Sequence, residues 1–154
     1  SLRRTSGGAV RVLGGAMVTA ILALFLRAQA AWASLPATAW VAANVARCES
    51  SARLDDGAAV LQTAINRARA WRRPLLSVMT QPRQFAWRCG LWPRTPSVGH
   101  VRLGLAAAMG TIQAPAWAAQ AFEYLGPSDR DGLVATRGPV VGRIVHTFHG
   151  RRRP

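Results

Sequence analysis

The groups in this sequence best suited to proton transfer, nucleophilic attack or metal binding are few. They are six carboxylates (Glu49, Asp55, Asp56, Glu123, Asp129, Asp131), two thiols (Cys48, Cys89) and three imidazoles (His100, His146, His149). Glu49 stands apart by its helical phase. Residues 38–51 read as a helix in which Val41, Ala42, Val45, Ala46 and Cys48 are apolar, while Asn44, Arg47 and Ser51 follow one another along a polar stripe. At about 100° per residue, Glu49 falls about 140° from Asn44 and close above Ala42 and Val45, on the side expected to be buried. Burying a carboxylate costs several kcal/mol unless it is paired, so this position suits a proton donor. The structural alternative is a Glu49 paired with an arginine such as Arg143.

Cys89 with His146 or His100 could in principle form a nucleophile and its base. Their spacing fits no local signature, and a disulfide between Cys48 and Cys89, or two structural thiols, explains the pair better. One bridge would close a loop of about 40 residues and contribute roughly 3–4 kcal/mol. The histidines and cysteines include no close ligand pair, so neither zinc nor any other metal or cofactor is expected.

These groups must be positioned by a chain long enough for one domain, with half of its 154 residues apolar. Asp55 and Asp56 can cap a second helix running to about Trp71, with Val60, Leu61, Ala64, Ile65 and Ala68 on its apolar face. Arg67, Arg69, Arg72 and Arg73 fall in its last turns, where cations complement the helix dipole, and Pro74 stops it. A short helical stretch over 75–79, an ordered loop over 80–85 and a third helix over 98–109, stopped by Gly110, follow. Residues 143–149 alternate like a strand, and their expected partner is 119–124 in a long hairpin whose connection is rich in Gly, Pro, Asp and Ser. The strand reading puts His146 and His149 on opposite faces. The expected fold class is α+β, mostly α, with a small β-hairpin near the C-terminus.

All 20 basic residues are arginine, giving a net charge of +14 that calls for an anionic partner. Residues 1–33 read as a signal peptide or N-terminal anchor. Arg3, Arg4 and Arg11 precede an apolar run over 12–26, and Ala31-Trp32-Ala33 before Ser34 is a small-x-small cleavage pattern. The run of about 15 residues is short for a membrane span, which needs about 20, although membrane attachment through residues 10–26 is the alternative to cleavage. The expected location is therefore outside the cytoplasm, in the periplasm or cell envelope. Residues 34–154 keep 16 arginines and all six acids, a net +10. Export removes nucleic acid as a partner, and no helix carries a basic stripe interleaved with aromatics. Residues 151–154 read as a basic tail.

Glu49, Gly57, Ala64-Ile65-Asn66-Arg67 and Gln81-Pro82-Arg83-Gln84-Phe85, in that order, resemble the SleB-like cell wall hydrolases, the family of spore cortex-lytic enzymes. Ala121-Phe122-Glu123-Tyr124 resembles the family's aromatic strand, and Ile144-Val145-His146-Thr147-Phe148 its terminal strand. The family often carries a second acid four residues after the glutamate, where this chain has Arg53. The resemblance implies a lysozyme-like helical catalytic domain over 34–150 that cleaves peptidoglycan between N-acetylmuramic acid and N-acetylglucosamine. Most glycosidases use two carboxylates, whereas a lytic transglycosylase needs one, and the resemblance suggests that route with Glu49 as acid and then base. Asp55 and Asp56 are explained equally well as helix caps. Gln84, Phe85, Tyr124 and Asn66 are the candidate saccharide-binding residues. A basic protein that binds the anionic envelope without catalysis is the reading from a different class.

Overall fold

The computed structural model describes residues 7–90, 94–126 and 138–152. Its elements are α1 (Gly7–Ser50), α2 (Leu54–Trp71), α3 (Leu75–Thr80), α4 (Val98–Met109), a 3-10 turn (Ala116–Gln120), β1 (Ala121–Leu125), β2 (Val140–Arg143) and β3 (Thr147–Gly150). The fold is α+β and mostly α, with a small antiparallel sheet of order β1-β3-β2. Two compact units divide the chain, Ser1–Ser34 and Leu35–Pro154. In the first, Met17, Ile21, Leu22, Leu24, Phe25 and Leu26 are exposed. Among the described residues, no helix is long and apolar enough to cross a membrane.

The second unit is built around α2, which packs against α3, α4, the 3-10 turn and β1. Its apolar face, Val60, Leu61, Ala64, Ile65 and Ala68, meets Val41, Ala42, Val45 and Ala46 of α1 and the buried Val78, Met79, Phe85 and Phe148. Ser97 caps α4 by accepting the His100 amide hydrogen at 3.2 Å, while His100 Nδ1 accepts the Ser97 amide hydrogen at 3.1 Å. The same imidazole, through Nε2–H, donates to the Ser51 carbonyl at 2.6 Å and ties the start of α4 to the end of α1. Helices α1 and α4 touch backbone to backbone at Gly104. A Cβ there would lie 2.2 Å from the Ala39 carbonyl oxygen and 2.8 Å from the Ala43 nitrogen, so no larger residue fits without separating the helices.

Three expectations need correction. The helix expected over 38–51 is the end of a longer α1 that starts at Gly7 and contains Pro36. Most of its polar stripe is enclosed, with only Ser51 exposed: Asn44 and Arg47 are buried, Asn44 donates to the Trp40 carbonyl at 3.0 Å, and Arg47 donates through Nη2 to Asn44 Oδ1 at 3.3 Å. The single strand expected over 143–149 breaks at 144–146 into β2 and β3, so the hairpin is a three-stranded sheet with β3 in the middle. The break has a local cause, since the Val145 and His146 amides donate to the Asp56 carboxylate at 3.0 Å each instead of to a neighbouring strand. Most of the connection expected as a loop, including Asp129 and Asp131, lies outside the described residues. So do Arg3, Arg4 and the end of the basic tail, of which Arg151 and Arg152 are described and exposed.

Candidate active site

Glu49 occupies the last turn of α1, half-buried. Its Oε1 accepts the Ala86 amide hydrogen at 2.5 Å, which fixes the carboxylate against the loop after α3. The Tyr124 hydroxyl hydrogen-bonds the same carboxylate from β1. Burial, and then the negative charge of Glu49 and this bond, push the Tyr124 phenol well above its ordinary range, while Arg67 opposes the shift. Tyr124 is therefore a permanent donor at physiological pH. The disulfide between Cys48 and Cys89 brackets the arrangement, joining the residue before Glu49 to one three positions past Ala86.

Arg67, assigned from sequence to the helix dipole, is the strut of this region. Its Nε donates to the Phe122 carbonyl and its Nη1 to Gln84 Oε1, each at 2.7 Å. The guanidinium lies 5.2 Å from the Phe85 ring centroid, 5.8 Å from that of Trp71 and 5.9 Å from that of Phe122. A planar cation with a fixed fork of donors can stack and bond at once, which an ammonium cannot. Arg67 thereby joins α2, β1 and the loop carrying Gln84 around Glu49.

Asp56 is fully buried in the first turn of α2. Its Oδ2 accepts the Ser50 hydroxyl and the His146 Nδ1–H, each at 2.6 Å, and its Oδ1 accepts the Val145 and His146 amides. Burial alone would raise its pKa, but the bonds from His146 and Ser50 outweigh it and hold the carboxyl below its ordinary value. With both oxygens occupied by protein donors, Asp56 is a structural hub and not a free base. Asp55 is exposed and accepts from Arg53 through both oxygens, at 3.2 and 3.0 Å. The hydrogen bond from Arg53 depresses its pKa. The two acids expected as caps thus sit inside the first turn, and Arg53 occupies the N-cap position without a side-chain bond to the helix-end amides.

The site residues expected from sequence divide. Tyr124 and Gln84 stand by Glu49 and its strut, Tyr124 in direct contact and Gln84 through Arg67. Phe85 is buried in the core, its ring centroid 6.0 Å from that of Tyr124, where it floors the region and is not open to a ligand. The Asn66 amide donates to the carbonyls of Ala118, Ala119 and Ala121, at 3.0, 3.2 and 2.7 Å, so it clamps the junction between the 3-10 turn and β1. Arg143, the alternative partner for Glu49, is exposed on β2. His100 is a capping residue and Cys89 is bridged, which leaves no thiol and base pair. Sequence reasoning missed the Asp56–His146 pair and the strut role of Arg67. The signal for Arg67 was its place beside Asn66, one step off the apolar stripe of α2.

Among the described residues no group of three or more His, Cys, Asp and Glu side chains is arranged to hold a metal ion. The arrangement offers one half-open carboxylate, oriented by an amide and a phenol, beside a clamped guanidinium. Such a group can give a proton to a bound oxygen and take one back. Comparison with known proteins finds no matching family model, no matching curated protein and no matching solved structure.

Proposed function

We propose that this chain cleaves peptidoglycan glycan strands between N-acetylmuramic acid and N-acetylglucosamine as a lytic transglycosylase. The observation that carries the reading is the one oriented, half-open carboxylate found among the described residues: Glu49 is held by Ala86 and Tyr124, while Asp55 and Asp56 are tied to Arg53 and His146. Glu123 falls on the opposite face of β1 from Tyr124, by strand alternation. Glu49 protonates the glycosidic oxygen as its bond to C1 of the muramoyl unit breaks. The resulting carboxylate then takes the proton of the muramoyl 6-hydroxyl as that oxygen bonds to C1, which closes an anhydro ring and returns the acid. No water is consumed and no second carboxylate is required. The resemblance to SleB-like hydrolases in Glu49, Asn66-Arg67 and Gln84-Phe85 supports the same substrate.

The proposal includes export to the periplasm or envelope, with cleavage before Ser34 or retention through residues 10–26. Cleavage there would leave the unit Leu35–Pro154 whole. N-terminal sequencing of the secreted protein checks it, and full-length chain found only in membranes would mean anchoring. For the reaction, purified protein is incubated with wall sacculi and the products are weighed by mass spectrometry. Anhydromuramoyl ends lost in Glu49→Gln are expected. Reducing ends would mean water is the acceptor, and wall binding without products would mean a non-catalytic envelope binder.

A further inference from the structure

The outward face of α4 is apolar. Val98, Val101, Leu105 and Met109, spaced at three and four residues, are 69, 38, 42 and 63 % exposed, whereas His100, Gly104 and Ala107 on the other side are buried. A surface helix ordinarily turns polar side chains outward. Here the only charged residue on the helix is Arg102, exposed beside the stripe. The stripe ends at Met109 on the edge of a cavity of about 680 Å³, lined by the buried Ile65 and Ala68 and by Arg69, Arg72 and Arg73. Residues 57–122 contain eight arginines and no acid. The cavity lies at the C-terminal ends of α2 and α4, where the helix dipoles favour cations; the Ala68 and Arg69 carbonyls are capped by the Arg73 and Arg72 amides, so attraction for an anion comes from the guanidinium groups.

Charge and shape together select the occupant. A second copy of this face would bring arginine against arginine. An anionic polymer would satisfy the guanidinium groups but leave four large apolar side chains in water. A bilayer with anionic headgroups accommodates both, with the apolar stripe at the headgroup–acyl boundary and the arginines at phosphate depth. We propose that α4 and the arginine-lined cavity beside it form a docking face for a membrane surface rich in anionic phospholipid, the cavity receiving a headgroup phosphate. This face uses none of the residues around Glu49 and stands or falls independently of the glycan-cleaving reaction.

The test is co-sedimentation of the full chain with vesicles of mixed phosphatidylglycerol and phosphatidylcholine, and of phosphatidylcholine alone. All proteins carry Leu22→Asn and Phe25→Asn, so that the exposed apolar residues of the first unit do not dominate. The mixed vesicles are expected to bind the protein, and Leu105→Gln with Met109→Gln to lower partitioning about tenfold. Arg69→Gln with Arg73→Gln is expected to lower it by a similar factor and to flatten its salt dependence. Thermal unfolding confirms that each variant is folded, and Val98→Ser repeats the test at the far end of the stripe should the double variant fail to fold. Equal binding to phosphatidylcholine alone overturns the proposal. So does loss through the arginines with no effect of Leu105→Gln and Met109→Gln, which is the behaviour of a polymer-binding patch. A concentration-dependent dimer dissolved by the Leu105 and Met109 changes also overturns it.

Discussion

Asp56 and His146 lie 90 residues apart in sequence and meet at 2.6 Å, carboxylate to Nδ1–H, with both side chains buried. The bond fastens the start of α2 to the turn between β2 and β3. Because folding lowers the Asp56 pKa, its contribution is fully present above the unfolded value of about 3.9 and is lost as pH falls through the lower folded value. Denaturant titrations from neutral to acid pH should therefore show stability dropping steeply below about pH 4. Asp56→Asn should flatten that drop and cost roughly 3–5 kcal/mol at neutral pH, since the amide NH2 faces donors that need an acceptor. An Asp56→Asn variant as stable as the parent would remove the hub assignment.

Tyr124 is the chain's sole tyrosine, so its ionisation can be read directly by ultraviolet absorbance. Its pKa is raised on folding, and the associated stability is present below the unfolded value of about 10 and is lost as pH climbs toward the folded one. The native protein should show no tyrosinate signal at about pH 11, where an exposed phenol is mostly ionised. The signal should appear together with unfolding. Tyr124→Phe should cost about 1 kcal/mol of stability and lower glycan cleavage through looser orientation of Glu49.

Arg67→Lys retains the charge but not the fork or the stacking plane. Loss of one of the two bonds to Phe122 and Gln84, together with ring contact, should destabilise the protein by about 1–3 kcal/mol. Activity at a temperature where the variant is fully folded should fall as well. An unchanged rate would mean that the strut is not needed to shape the site.

Reduction of the Cys48–Cys89 bridge, or replacement of both by serine, should lower stability by roughly 3–4 kcal/mol. Thiol titration of unreduced, denatured protein should find no free thiol. Cleavage should weaken beyond the loss of folded protein, because the Ala86 amide that orients Glu49 is delivered by the bridged loop.

Helical periodicity carried far in this chain. The apolar face of α2 and the 98–109 span of α4 with its Gly110 stop were legible, because each depends on neighbours within a few turns; the phase of Glu49 was a poorer guide, since it is half-buried while Asn44 and Arg47 are enclosed. What was not legible depends on distant partners. Asn44 and Arg47 look solvent-facing until the enclosing chain is in place, and Asp56 looks like a cap until residues 145 and 146 arrive to donate to it. The split of the expected terminal strand follows from the same carboxylate. Asn66 illustrates the limit, since an amide can face a ligand or a backbone with equal local plausibility, and only the position of the 3-10 turn decides.

The strand described last in the sequence is the middle one of the sheet, and this sets an order of assembly. Until β3 is made, β1 and β2 have no common neighbour to pair with, and the Phe148 ring is missing from the core. A nascent chain therefore carries Glu49 for about a hundred residues of synthesis before its surroundings can close. In a half-made copy the sheet beside Glu49 is incomplete, and the proposed reaction would have to wait for residues 147–150.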